Sequence, residues 1–244
     1  MMNVSPISAT KMDTEMEMEP MIHLHYYPST ASMAPHILLR ELGVPFELQL
    51  VDRTQNAHKM TAYLKLNPNG LIPVLTSSGD QGDLVLYEAA AICLHLCDTH
   101  PAAGMAPALG TAERAHFYKW LIWLTNTLQA TLISYFYPER SVRAGNGAGA
   151  AEVKALAEIK VGVLLDQLDA ELAKQGQTHA APWLLGARYC AVDIYALMLC
   201  RWTRHFASTP ARDRAHLGPY LQRILARPAV AKAFEAEELV QPWV

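Results

Sequence analysis

The chain has 244 residues, 51% of them hydrophobic and 18% charged, with a formal net charge of −3. That is enough apolar material for one large or two ordinary domains. It excludes a wholly disordered chain and lacks the basic footprint of a nucleic-acid binder. No stretch of eighteen uncharged apolar residues exists to span a membrane, and the four cysteines, with no Cys-x-x-Cys pair, read as buried hydrophobes in a reducing, cytoplasmic compartment.

Residues 1–20 carry Asp13, Glu15, Glu17 and Glu19 without a continuous apolar run, which predicts a disordered tail rather than a secretory signal. From Ile22 to Tyr26 the pattern alternates as a strand. Pro28 to Ser32 breaks it, and a helix follows from about Ala34 until Gly43 stops it. Phe46 to Val51 reads as a second strand, parallel to the first through the helical crossover. A short helix near Met60–Leu66 and the turn Asn67-Pro-Asn-Gly70 precede a hairpin of strands Leu71–Thr76 and Asp83–Tyr87, then a helix over Glu88–Leu96.

Residues 100–110 are rich in Pro, Ala and Gly and read as a linker. Beyond them strand signals cease. One long helix is expected over Thr111–Tyr137, a Gly/Ala/Asn loop over Ala144–Ala150, and a helix over Glu152–Leu172 with its apolar stripe at Val153, Leu156, Ile159, Val163 and Leu168. Three more helices are expected, over Val192–Phe206, Arg214–Ala226 and Ala229–Leu239. The fold class is therefore an α/β module (21–99) joined to an all-α helical domain (111–244).

Candidate functional residues cluster in the first module. Pro73 interrupts a strand pattern, which a cis Ile72–Pro73 bond reconciles by freeing the Ile72 backbone for another partner. Ser32 sits where the first helix begins. It serves either as a plain N-cap or as a hydroxyl that donates to a bound thiolate and lowers its pKa. Tyr26, at the end of the first strand, is a second hydroxyl candidate or a half-buried aromatic. Glu88 opens the third helix, where the dipole favours a carboxylate, and Asp193 caps a late helix by bonding back to the backbone at Cys190. Cys93, His95, Cys97 and His100 read as core packing rather than a metal site.

The runs YYPSTASMAPHILLRELGVPFE, YLKLNPNGLIPVL, LVLYEAAAICLHL and CAVDIYALMLCRW, in that order and spacing, resemble bacterial glutathione S-transferases, particularly the beta class. The resemblance implies a thioredoxin-like N-terminal domain, a helical C-terminal domain and a homodimer. It implies glutathione as co-substrate, and a small hydrophobic electrophile in the cleft between the domains, in a reaction that serves detoxification. It assigns Ile72 and Pro73 to the cysteinyl part of glutathione, Glu88 and Ala89 to its γ-glutamyl end, and Ser32 or Tyr26 to the thiol. Trp123, Tyr135, Phe136 and Tyr137 are candidates for lining the electrophile pocket. Three departures stand out: Ala31 where the beta class has its active-site cysteine, Gln129 where it has a histidine, and Ala89 where Ser is frequent. Ala31 and Ala89 keep open a non-catalytic binding protein. A glutathione-dependent peroxidase, isomerase or lyase remains open on the same scaffold.

Overall fold

The computed structural model describes residues 21–78, 82–208 and 210–244; the expected tail over 1–20 lies outside them. Strands β1 (Met21–Tyr26), β2 (Phe46–Leu50), β3 (Val74–Ser78) and β4 (Leu84–Tyr87) form one sheet in the order β2-β1-β3-β4. β1 runs parallel to β2, with Leu24 opposite Leu48, and antiparallel to β3, with Leu24 opposite Leu75; β3 and β4 are antiparallel. The crossover between β1 and β2 is α1 (Met33–Leu42), closed by Gly43 at φ 69°, a left-handed conformation that glycine adopts freely. α2 (Thr61–Leu64) and α3 (Ala89–Thr99) complete this thioredoxin-like half. β3 starts at Val74 rather than Leu71, because Pro73 has no N–H for the ladder. The Ile72–Pro73 bond is cis.

The second half is helical. The expected helix over Thr111–Tyr137 is α4 (Ala112–Trp123), a π-helical stretch over Leu124–Gln129, and α5 (Ala130–Phe136). Next come α6 (Gly147–Gln175), α7 (Ala191–Trp202), α8 (Leu217–Leu225) and α9 (Pro228–Ala236). α6 begins five residues before Glu152, inside the expected loop, because the Asn146 side chain accepts from the Gly149 N–H at 3.0 Å and caps it. Its buried stripe is Ala157, Val161, Leu164, Leu165, Leu168 and Leu172, whereas Leu156, Ile159 and Val163 face outward. A helix of this length with two apolar stripes does not reveal from sequence alone which one meets the core.

The two halves share a continuous core. Met33 to Leu39 of α1 are all buried, because α1 packs on α3, α7 and α9 as well as on the sheet. The expected linker is fastened rather than free. It makes a 3-10 turn over Pro101–Ala103, buries Met105, and gives the Met105 carbonyl to the Ala191 N–H at 2.9 Å. Arg114 holds the same segment, donating to the Pro107 carbonyl at 3.1 Å and to Asp98 at 2.6 Å. On the opposite flank, Arg227 makes a bidentate pair with Glu41 at 2.5 and 2.9 Å. Among the described residues no helix is long and apolar enough to cross a membrane.

Asp193 caps α7 as expected and does more. Its carboxyl is fully buried and accepts from the N–H groups of Cys190 (2.8 Å) and Leu184 (3.0 Å) and from the Tyr220 hydroxyl (2.8 Å). Burial pushes its pKa up to about 6, against the downward pull of these donors. A folded-state pKa above the unfolded one means that the native state takes up the extra proton between about pH 4 and 6. The contribution of Asp193 to stability is therefore largest below that window and declines as pH rises through it. In urea unfolding from pH 4 to 6.5, the stability gap between the parent and Asp193→Asn is expected to narrow; a gap that widens contradicts this.

Candidate functional site

Between β1 and α1 the chain makes a tight loop over residues 27–32 that is braced from within and from afar. The Thr30 hydroxyl donates to the Tyr27 carbonyl at 2.7 Å and lies 3.0 Å from Ser32 Oγ. Ser32 Oγ donates to the same carbonyl at 3.1 Å and accepts from the Tyr27 N–H at 3.3 Å. Ser29 takes a left-handed conformation at φ 61°, and its N–H donates to Glu237 Oε2 at 2.9 Å. The other oxygen of Glu237 lies 2.8 Å from His36 Nδ1, and both side chains are wholly buried. A residue just beyond α9 thus holds the loop that begins α1.

Four of the sequence-assigned residues meet in one cavity of about 380 Å³: Ile72, Pro73, Glu88 and Ala89, with Ala31 beside them. That volume suits a small organic ligand. Glu88 is held at φ 75°, ψ 110° as it enters α3, a costly conformation for a side-chain-bearing residue and a mark of a site under functional constraint. The approach to Ile72 is shaped by Tyr63 and Asn67, whose side chains both donate to the Leu71 carbonyl at 2.8 Å. Gly70, at φ 58°, comes so close to His58 and Lys59 that a Cβ there would sit 2.8 Å from the His58 carbonyl. The facing wall comes from the helical half: Thr125, Asn126 and Gln129 of the π-helical stretch, and Tyr195 of α7. The Tyr195 hydroxyl donates to Gln129 Oε1 at 2.7 Å and fixes that side chain.

A second cavity, about 430 Å³, adjoins the first and shares Ala31, Leu71, Ile72, Gln129 and Ile133 with it. Of the four expected aromatics only Phe136 and Tyr137 border it, joined by Trp202. Trp123 turns edge-on to Trp120 at 5.3 Å and Tyr135 packs on Phe206 at 4.3 Å, so these two belong to the helix packing. Neither hydroxyl candidate lines either of these two cavities. Ser32 is fully buried with its hydroxyl engaged by the main chain. Tyr26 is half-buried against His36, and burial, then Glu237 and Glu238, raise its pKa, which disfavours a phenolate. The four cysteines are buried, and burial lifts the thiols of Cys97 and Cys200 to about 12, so none is a poised nucleophile.

Sequence reasoning named Gln129 but missed Thr125 and Asn126 beside it, and missed Glu237. The missed pair had a weak signal, a polar run inside an apolar helix; Glu237 had none, because its partners lie 201 and 208 residues away.

Residues 28–99 match the family model described as the N-terminal domain of glutathione S-transferase. Over 222 residues the chain is 31% identical to glutathione S-transferase GST-4.5 of Xanthomonas campestris pv. campestris, spanning 88% of this chain and 98% of that one. It is 28% identical over 220 residues to glutathione S-transferase GstA of Escherichia coli O157:H7, with the same two coverages. Among solved structures it resembles a sphingomonad glutathione S-transferase in complex with glutathione, with a TM-score of 0.73 and 32% identity over 89% of this chain and all of the other.

If Glu237 fixes the loop through both its oxygens, Glu237→Ala is expected to lower stability to urea by about 3–5 kcal/mol. Glu237→Gln, whose single amide oxygen can still accept from either Ser29 or His36, is expected to cost less. Equal losses would assign the effect to packing instead.

Proposed function

This chain belongs to the glutathione S-transferase family, and from that premise we propose that it activates the thiol of glutathione, held in the first cavity, for attack on an electrophile held in the second. The observation that carries the reading is the convergence of Ile72, Pro73, Glu88 and Ala89 with Ala31 on one cavity that opens into another. Glu88 and the Ala89 N–H then take the γ-glutamyl end, and the Ile72 main chain takes the cysteinyl part. The sulfur comes to rest beside Ala31, two residues before α1. There the positive end of the helix dipole favours a thiolate. With alanine at that position the protein forms no mixed disulfide with its substrate, and catalysis rests on positioning and electrostatic support.

Ser32 enters this scheme as a positioning residue, since its buried hydroxyl braces the Tyr27 main chain beneath the thiol. Tyr26 faces the α9 side of the loop. Ser32→Ala is expected to cost about 1–3 kcal/mol of stability, because buried backbone groups lose a partner, while the apparent pKa of enzyme-bound glutathione in the pH profile of conjugation stays within about half a unit, a free-energy change under ~0.7 kcal/mol. A rise of a full unit, with a ~10²-fold loss of turnover, would make Ser32 the thiolate donor itself, and the same result for Tyr26→Phe would transfer that role to Tyr26. Glutathione bound without turnover of any aryl electrophile would favour the non-catalytic binder.

The active species we propose is a homodimer working in the cytoplasm in detoxification. Support for the dimer is the outward stripe Leu156, Ile159 and Val163 on α6, 59%, 67% and 63% exposed, with Ile122 of α4 also uncovered. An apolar stripe of this kind on a stable protein marks an interaction surface. Sedimentation equilibrium is expected to give a dimer, and Ile159→Asp to shift it toward monomer with the fold retained by circular dichroism; a parent monomer at tens of micromolar would refute this.

A further inference from the structure

The second cavity has a charge that conjugation of a neutral compound leaves unexplained. Arg53, Lys59, Arg140 and Arg204 border it and no carboxylate does, in a chain whose net charge is −3. Lys59 is engaged, donating to the carbonyls of Asn69 (3.4 Å) and Gly70 (3.3 Å). Among the described residues none of the three arginines forms an ion pair. Arg53 donates to the Tyr137 hydroxyl at 3.2 Å, and Arg140 stacks over the same ring at 4.0 Å from its centre. Arg204 donates only to the Arg201 carbonyl at 3.1 Å, and burial pulls its pKa down, as expected for a guanidinium lacking counter-charge. The His58 pKa is lowered too, by burial, then by Lys59 and Arg53.

The polar atoms around this cavity tell the same story. Ser29 Oγ, His58 Nδ1 and Trp202 Nε1 belong to residues that border it, and each is buried without a hydrogen-bond partner. The indole N–H can only donate. Cations gathered beside a spare indole donor, with no carboxylate supplied by the protein, are what an anion completes. Phe136 and Trp202, edge-to-face at 6.3 Å, supply apolar surface for a ring. Glutathione itself does not account for the surplus. With its γ-glutamyl end at Glu88 and its cysteinyl part at Ile72, one glycyl carboxylate reaches toward this side, and Lys59 beside Gly70 suffices for it.

We propose that the electrophile taken by this cavity is an acidic aromatic compound, a ring bearing a carboxylate or sulfonate, with the ring against Phe136 and Trp202 and the anion on the guanidinium groups of Arg53, Arg140 and Arg204. The proposal rests on the glutathione-conjugating reading of the cleft. In the reaction the glutathione thiol loses its proton to solvent, the thiolate adds to the ring carbon bearing chlorine, the C–S bond forms, and the C–Cl bond breaks with chloride carrying off the electron pair.

The test compares 4-chloro-3,5-dinitrobenzoate with neutral 1-chloro-2,4-dinitrobenzene, each corrected for its uncatalysed rate with glutathione. The acid is expected to have a kcat/KM at least ~10-fold the higher, the size of effect that one unscreened charge contact carries. That preference is expected to shrink several-fold in 0.5 M NaCl and in Arg140→Glu and Arg204→Leu, with the KM for glutathione moving less than twofold. No preference for the acid, or arginine variants that raise the KM for glutathione and leave the preference intact, would overturn the proposal. Equilibrium dialysis of 3,5-dinitrobenzoate against 1,3-dinitrobenzene, neither of which can react, reads the same selectivity without turnover. An enzyme that conjugates neither chloride yet retains the acid tenfold more tightly would refute the transferase reading and keep the anion site; equal retention would refute the anion site. Arg140 is exposed, so its variant tests the idea even if Arg204→Leu fails to fold.

Discussion

A single buried carboxylate joins the two halves of this protein beside the loop that borders both cavities. Glu237 reaches from beyond α9 to bond the His36 ring on α1 and the Ser29 N–H in the loop before it. Buried charge of this kind is worth little as a glue when set against an apolar alternative, but it is stringent about geometry. The loop 27–32 has one arrangement in which Ser29 meets Glu237 and both polar main-chain groups of Tyr27 meet hydroxyls. That arrangement presents Ala31 to both cavities. The second anchor between the halves, Arg227 with Glu41, lies at the other end of α1 and fixes its direction as Glu237 fixes its start.

On this frame the cleft divides its labour by origin. The thioredoxin-like half contributes backbone and a strained carboxylate: the freed main chain at Ile72, the Ala89 helix start, Glu88 in an uncommon conformation. The helical half contributes side chains, and the π-helical stretch decides which. A local widening of the helix between α4 and α5 changes the angular spacing of its residues, and Thr125, Asn126 and Gln129 all arrive at the first cavity. Gln129 is further locked by Tyr195 of α7, so the wall opposite Glu88 is a set of fixed amides and a hydroxyl. The second cavity lies farther along, at the end of α5 and the end of α7, where Phe136, Tyr137, Trp202 and Arg204 gather.

Much of this was legible in the sequence, and the illegible parts have separate physical causes. Local signals worked: Gly43 ends α1, the Ile72–Pro73 bond is cis, Asp193 caps α7. The motif runs named Ile72, Pro73, Glu88 and Ala89, which the structure brings to the first cavity, because Pro and helix starts announce such backbone positions. Ser32 illustrates the limit. Its place beside a helix N-terminus was right, yet whether its hydroxyl faces ligand or main chain depends on a loop held by Glu237, 208 residues beyond Ser29. α6 failed for another reason: with apolar residues on two stripes, periodicity identifies a helix and leaves its buried side undetermined. Trp123 and Tyr135 were assigned to a pocket on residue type alone, and neighbouring aromatics claimed them. The cations of the second cavity, spread from Arg53 to Arg204, form no pattern along the chain.

The packing of α1 on α9 also governs the order in which the protein can be made. During synthesis the sheet and its helices leave the ribosome first, with the face of α1 destined for α9, and His36 upon it, still open to water or to other chains. Contacts between elements two hundred residues apart close late and slowly, and half-finished chains with an uncovered apolar face are the ones that aggregate. The arrangement of loop 27–32 therefore cannot be complete until α9 has been made and Glu237 has met Ser29 and His36.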